Sequence, residues 1–144
     1  TLRVLDERLA GLEGASRLSD IRVHHEIEDL KEALVNTRAL GADIIIVFGA
    51  SAITDRRDVI PAALEAAGGQ VRHLGMPVDP GNLLMLGALD GRPVLGAPGC
   101  ARSPKENGFD WVLQRLAADI DVTPDDIRRM GVGGLLMEII SRPQ

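Results

Sequence analysis

Two glycine-containing loops in this sequence each follow a short apolar run and carry small polar and cationic residues. The first run, IIIVF at residues 44–48, leads into GASAITDRR at residues 49–57, and the second, Val94 and Leu95, leads into GAPGCAR at residues 96–102. Glycine lets the backbone approach a ligand closely, and a following helix presents free N–H groups and the positive end of its dipole. The cations beside the loops are Arg56, Arg57, Arg102 and Lys105. Turns between strands and helices often contain glycine whatever they bind, so only the matching pair of loops indicates a phosphate site.

Two carboxylates, one in the first loop and one directly after it, need a separate interpretation, because they would repel phosphate. Asp55 and Asp58 could accept paired N–H groups from a guanidine-like ring edge, or could hold Mg²⁺. The structural alternative is capping of the helix that starts near Asp58. The structural interpretation is favoured for Asp55, and both stay open for Asp58.

Other reactive residue types in the chain give weaker signals. Cys100, the single cysteine, has no histidine near it in sequence to stabilise a thiolate, so a small loop residue is expected there. His24, His25 and Glu26 are adjacent, and neighbouring residues of a regular element point in different directions, so an exposed surface is expected rather than a metal site. No HExxH, Walker A, GxGxxG or GxSxG pattern is present. Metal ligands are therefore unknown from sequence.

The pattern of apolar residues predicts the helices that would position these loops. A first helix has its apolar stripe at Leu2, Leu5, Leu9 and Leu12, and a long helix runs from Ile27 to Gly41. The remaining predicted helices are one over residues 58–67, one that starts at a capping box of Ser103, Pro104 and Glu106, and one from a second box at Thr123, Pro124 and Asp126 to Gly131. Residues 132–144 carry no assignment.

Predicted strands alternate with these helices. The run at residues 44–48 is apolar throughout, as is typical of a parallel strand covered on both faces. Further strands are predicted at residues 70–74, 83–89 and 93–97, with a turn at Asp90 and Gly91 and an ambiguous edge strand at residues 16–23. This order predicts one α/β domain with three α/β/α layers and a mostly parallel sheet. A ligand crevice is expected at the carboxyl ends of the strands.

Composition and net charge argue against some classes of binding partner. The chain has 144 residues, 45% of them hydrophobic, which suits a single domain over residues 1–144. A net charge of -5, with one Trp and two Phe, argues against nucleic-acid binding. A lone cysteine, no long apolar run and no leader-like start lead us to expect a cytoplasmic protein that does not bind membranes.

Three segments in order give the chain a resemblance to a known family. They are GASAITDRRDVIP at residues 49–61, GMPVDPGN at residues 75–82 and VLGAPGCARSP at residues 94–104. Over residues 21–120 the chain resembles the molybdopterin-binding domain of the molybdopterin adenylyltransferases and molybdopterin molybdotransferases, which make the molybdenum cofactor. The resemblance implies the three-layer fold and a pterin ligand, molybdopterin, which carries a dithiolene and a terminal phosphate. It also implies a homo-oligomer.

The resemblance assigns residues by position in this sequence. Asp58 would occupy the functional acidic position, as the catalytic group of a transferase with Mg²⁺ as a second cofactor. The residues that would line the pterin pocket by position are Gly49, Ala50, Ser51, Gly81, Asn82, Pro98, Gly99, Cys100 and Ser103. Asp55, Arg102 and Lys105 are added as candidate binding residues from their chemistry and their place in the loops.

Departures from the family pattern keep several functions open. Phe48 and Ile53 stand where glycine is common, Asn82 stands where lysine is common, and His25 stands where the molybdotransferases carry a carboxylate. The family's first strand is expected before Thr1, so the chain is expected to be part of a longer protein. The alternatives are a catalytic transferase, a non-catalytic module that presents the pterin to a fused nucleotidyltransferase domain, and a hydrolase of a nucleotide or nucleotide conjugate.

Overall fold

The computed structural model describes residues 1–78 and 80–130 of the chain. The helices are α1 (Leu2–Ala10), α2 (Ile27–Asn36), α3 (Val59–Ala66), α4 (Gly108–Ala117) and α5 (Pro124–Arg129), and two 3₁₀ helices span Thr37–Leu40 and Gly99–Arg102. The strands are β1 (Ile45–Phe48), β2 (Gln70–Leu74), β3 (Met85–Leu89) and β4 (Arg92–Ala97). None of the described helices combines the length and apolarity needed to cross a bilayer.

The four strands form one sheet in the order β1-β4-β3-β2. β1 pairs with β4 in parallel, whereas β3 pairs antiparallel with both β4 and β2. The predicted turn between β3 and β4 is confirmed: Asp90 and Gly91 have φ values of 52° and 75°, as two-residue hairpin turns require. The α/β class is confirmed. The expectation of a mostly parallel sheet is wrong for the described residues, because two of the three strand pairs are antiparallel. The expectation of three layers stays a prediction.

Apolar residues of the strands alternate between two clusters. Val94 of β4 packs with Leu34 of α2 and Leu64 of α3, whereas its neighbour Leu95 packs with Phe109 of α4 and with α5. Successive strand residues point to opposite faces, so each cluster covers one face of the sheet. The helices that precede and follow the two predicted loops therefore hold β1 and β4 from both sides.

The predicted helix from Ile27 to Gly41 is regular for only part of its length. α2 ends at Asn36, and a 3₁₀ helix continues to Leu40. The Thr37 hydroxyl donates to the Leu34 carbonyl at 2.5 Å, a bond that competes with α-helical geometry. Gly41 then ends the segment with φ 67°, so the predicted stop is confirmed.

The edge strand expected at residues 16–23 is wrong. These residues have no strand assignment, and Arg17 instead binds Asp6 at 2.8 Å and Asp20 at 2.6 Å. Both contacts tie the segment to itself and to α1, in place of a ladder with the sheet.

The helix start predicted at Ser103 is also wrong, because α4 begins five residues later at Gly108. Arg8 of α1 donates to the carbonyls of Ala101 (2.5 Å) and Ser103 (2.6 Å). A helix that starts at Ser103 would use the Ser103 carbonyl for its own first backbone hydrogen bond. A capping box formed by Asn107 and Asp110 starts α4 instead. The second predicted box is confirmed, since Thr123 and Asp126 cap α5 reciprocally. The expected end of α5 at Gly131 lies outside the described residues.

Candidate functional site

The two predicted loops lie side by side. β1 and β4 are parallel neighbours with Phe48 paired to Ala97, so the segments that follow them leave the sheet together. Arg102 crosses from one to the other: its Nη2 donates to the Gly49 carbonyl at 2.6 Å, and its guanidinium lies 5.7 Å from the centre of the Phe48 ring. The predicted cation of the second loop therefore holds the first loop in place.

The middle one of the three segments that carry the resemblance, residues 75–82, reaches the same end of the sheet. β3 runs antiparallel to β4 with Met85 paired to Gly96, so residues 80–82 before β3 lie near the end of β4. The Gly108 N–H at the start of α4 donates to the Pro80 carbonyl at 2.9 Å. All three segments, and with them the predicted site residues, lie at one end of the sheet. That they bind a ligand stays a prediction.

The glycines of these segments differ in what surrounds them. A Cβ added to Gly49 would lie 2.7 Å from Ile60 Cδ1, and one added to Gly81, which has φ 118°, would lie 2.7 Å from the Gly108 nitrogen. A Cβ at Gly99 would meet nothing within 4 Å. Close packing therefore explains Gly49 and Gly81 without a ligand, whereas Gly99 faces open space.

Asp58 organises the loop between β1 and α3. Its Oδ2 accepts from the Thr54 N–H at 2.8 Å, the Asp55 N–H at 3.0 Å and the Thr54 hydroxyl at 3.2 Å. The two backbone N–H groups, followed by the hydroxyl, hold the pKa of Asp58 below its usual value. Asp58 does occupy the N-cap position of α3, but its side chain makes no bond to the helix. At neutral pH it is an ionised acceptor, unsuited to act as a general acid.

Asp55 and the cations of the same loop are engaged locally. Asp55 accepts from Arg57, at 3.1 Å from Nε and at 2.7 Å from the backbone N–H, and these contacts lower its pKa. Arg56 turns away to the Val71 carbonyl at 3.2 Å and to Glu65 at 3.6 Å. Asp55 therefore makes structural contacts, but with Arg57 rather than as the helix cap that the structural interpretation described. Among the described residues, no group of His, Cys, Asp and Glu has the arrangement of a metal site.

Side chains of the protein already bind the backbone N–H groups at the N-terminus of α4. The buried Asn107 side chain accepts from the Phe109 N–H at 3.0 Å, and Asp110 accepts from the Asn107 N–H at 2.9 Å. The other oxygen of Asp110 pairs with Arg8 Nε at 2.6 Å. The expected phosphate contact with this helix N-terminus is therefore not supported. Lys105, another predicted cation beside this loop, is exposed.

Sequence reasoning missed the contact of His25 with the loop that follows β1. The segment is exposed, as expected, but His25 Nδ1 lies 3.4 Å from the Ala50 nitrogen and Nε2 lies 3.3 Å from the Ser51 hydroxyl. Local sequence gives no sign of this, since 24 residues separate His25 from Ala50. The one sign was the departure noted above, that His25 stands where the molybdotransferases, which the chain resembles, carry a carboxylate.

The remaining candidates occupy ordinary environments. Cys100 is a partly buried free thiol whose carbonyl accepts from Asn107 Nδ2 at 3.1 Å, as expected for a loop residue. Asn82 is exposed, Ser103 is half-buried and Pro98 is buried. An open depression of about 590 Å³ lies at the opposite end of the sheet, between Asp43 and Asp90, and includes none of the predicted site residues.

Searches against models of protein families, against curated proteins and against solved structures give no match for this chain.

Proposed function

We propose that this chain binds molybdopterin at the end of the sheet where the loops after β1 and β4 and the segment before β3 meet. The observation that carries the proposal is this convergence, which gathers residues from three separated motifs of the family pattern. The proposal includes the finer fold, three α/β/α layers, and it is supported by the two apolar clusters on opposite faces of the sheet.

The residues present fit an anionic ligand at one part of this region. Gly99 has open space above it, and Lys105 and Arg102 lie within six residues of it. Arg102 is already committed to the Gly49 carbonyl, so Lys105 is the cation available for a terminal phosphate. The ligand's dithiolene would supply the molybdenum-binding chemistry. A cytoplasmic setting belongs to the proposal, because a free Cys100 suits a reducing compartment.

The enzymatic version and the non-enzymatic module that presents the pterin to a fused nucleotidyltransferase domain differ in what they require of Asp58. Asp58, the assigned catalytic group, uses one carboxylate oxygen to hold Thr54 and Asp55. A transferase would need that carboxylate to position Mg²⁺ or substrate as well. If the chain catalyses adenylyl or molybdate transfer, Asp58→Asn lowers the rate at least about 10²-fold. Binding without turnover from ATP or molybdate supports the module.

The first test is anaerobic titration of the folded chain with molybdopterin, followed by the fluorescence of Trp111, whose Nε1 donates to Glu106 at 3.2 Å beside the loop. We expect saturable binding. Lys105→Ala should weaken it at least about fivefold, because a charge-assisted hydrogen bond to phosphate is lost. Gly99→Leu should weaken it by filling the open space.

Matched controls separate binding from general damage. Lys31→Ala removes the chain's other lysine, which lies on α2 and pairs with Glu28 at 3.7 Å, and should leave affinity unchanged. Gly11→Leu changes an exposed glycine after α1 and should do the same. Absence of binding by the folded wild-type chain contradicts the proposal. Release of phosphate or a nucleoside monophosphate from a nucleotide panel would then identify the hydrolase alternative.

A further inference from the structure

The side chain of His25 lies over the turn that begins the loop after β1. Its Nδ1 is 3.4 Å from the Ala50 nitrogen, and its Nε2 is 3.3 Å from the Ser51 hydroxyl oxygen. A Cβ added to Gly49 would lie 3.2 Å from His25 Cε1, so the ring also packs against the bare backbone of that glycine. One imidazole ring therefore contacts three consecutive residues of a loop in the candidate site.

The protein core fixes the backbone that carries this ring. Glu26 is the N-cap of α2, and its N–H donates to the His24 carbonyl at 2.8 Å. Leu30 of α2 and Ile60 of α3 belong to the same buried cluster. The helix that follows His25 and the helix that follows the loop are thus packed together, and closely packed interiors resist displacement. The ring and the loop are therefore held in one arrangement.

The two contacts of the ring determine which of its nitrogens carries the proton. A backbone N–H can only donate, so Nδ1, which faces the Ala50 N–H, is the acceptor. In the neutral ring the proton is then on Nε2, which donates it to the Ser51 hydroxyl oxygen. His25 in this arrangement has no lone pair on Nε2 with which to deprotonate Ser51, so the pair is not a nucleophile and its base.

The proton of the Ser51 hydroxyl is left for a partner outside the described residues. Ser51 is exposed, and within residues 1–78 and 80–130 its hydroxyl has a hydrogen-bond contact with His25 alone. Because the oxygen accepts from Nε2, the hydroxyl proton turns away from the ring. Hydrogen bonds arranged in a chain also polarise one another, which strengthens the last donor.

We propose that His25 is a positioning residue that holds the Ser51 hydroxyl as a hydrogen-bond donor toward an acceptor oxygen of the ligand. The inference rests on the proposed function, because the ligand is the pterin assigned to this end of the sheet. Carbonyl and phosphate oxygens are both acceptors of this kind, so the selection is for an oxygen that carries no proton. His25 itself need not touch the ligand.

The test is the anaerobic titration of the full chain with molybdopterin, extended to variants at both positions. Ser51→Ala should weaken binding about fivefold, because one neutral hydrogen bond is lost. His25→Ala should weaken it about threefold, because the hydroxyl then turns freely. The double variant should bind within about twofold of Ser51→Ala alone, whereas independent effects would multiply to about fifteenfold.

Rescue and a matched control separate positioning from a merely steric role. His25→Gln brings an amide N–H close to the place of Nε2, and it should bind within about twofold of wild type. His24→Ala removes the neighbouring histidine, for which the structure shows no side-chain contact with the loop, and it should leave the dissociation constant unchanged. Circular dichroism checks the folding of every variant.

A second measurement needs no ligand. Long-range proton–nitrogen NMR spectra of the free chain report which ring nitrogen is protonated in each of its three histidines. The signals that disappear in His25→Ala belong to His25. We expect its proton on Nε2.

The outcomes distinguish this inference from the proposed function. If the folded wild-type chain does not bind molybdopterin, the proposed function is wrong, and this inference is wrong as well. If the wild type binds but the effects of His25→Ala and Ser51→Ala multiply, His25 does not act through Ser51, and this inference alone is overturned. A proton on Nδ1, or a His25→Ala variant that binds as tightly as wild type, leads to the same conclusion.

Discussion

The loops after β1 and β4 follow the same sequence pattern but are held by different means. Residues 54–58 of the first loop are held largely from within, by Asp58 bonds to Thr54 and Asp55 and by the pair of Asp55 with Arg57. Residues 98–107 are held from a distance by Arg8, which binds the Ala101 and Ser103 carbonyls and pairs with Asp110. The exposed residues 54–57 can change with little effect on the core, whereas Ala101 and Asn107 of the second loop are buried.

The largest effect should come from Arg8, because it links α1, the second loop and α4. Arg8 and Asp110 have side chains only 9% and 11% exposed, so Arg8→Met leaves a buried carboxylate without its cation. We expect the free energy of unfolding to fall by about 3 to 5 kcal/mol, measured by urea denaturation. Arg8→Lys, which keeps the charge but not the planar set of donors, should give a smaller loss.

The matched change in the first loop is Arg57→Met, which removes an arginine whose side chain is 91% exposed. It should leave the free energy of unfolding nearly unchanged, since surface ion pairs contribute little. Equal losses for Arg8→Met and Arg57→Met would contradict the distinction between a loop held from a distance and one held locally.

A smaller loss should follow from Asn107→Ala. The Asn107 side chain caps α4 through the Phe109 N–H and donates to the carbonyls of Cys100 at 3.1 Å and Lys105 at 3.2 Å. Removing a buried cap that also satisfies two carbonyls should cost about 2 to 3 kcal/mol of unfolding free energy. The first loop offers Thr54→Ala as the comparison, because it loses one exposed bond to Asp58 and should cost less. If Thr54→Ala costs more, the second loop does not depend on Asn107 as described.

The same distinction explains what the sequence could predict. The Asp90 and Gly91 turn and the box at Thr123 depend on residues at most three positions apart, and both predictions are confirmed. Ser103, Pro104 and Glu106 have an equally good local pattern, yet the helix starts at Gly108 because Arg8, 95 residues from Ser103, binds the intervening carbonyls. A single sequence contains no sign of that contact.

The candidate site shows the same limit. Proximity of the loops after β1 and β4 follows from strand order, which the alternation of helices and strands could suggest. The contact of His25 with Ser51 and the use of Arg102 as a link to Gly49 depend on how separate segments pack. The sequence therefore predicted that cations lie near the candidate site, but it did not predict which groups they bind.

The smallest expected effect is the pH dependence of the stability that Asp58 contributes to the first loop. Backbone N–H groups of Thr54 and Asp55 hold the pKa of Asp58 below its usual value in the folded protein. A depressed folded pKa contributes stability above the unfolded value of about 3.9, and this contribution is lost as the pH falls through the folded pKa. Asp58→Asn should therefore be less stable than wild type at pH 7, by less than Asn107→Ala, and the difference should shrink below about pH 4. Urea denaturation of both proteins across this range measures it, and comparison with the variant cancels the titration of other carboxylates. If the stability difference does not change with pH, Asp58→Asn destabilises the protein through the hydrogen-bonding geometry of the amide. The charge of Asp58 would then not be what orders the first loop.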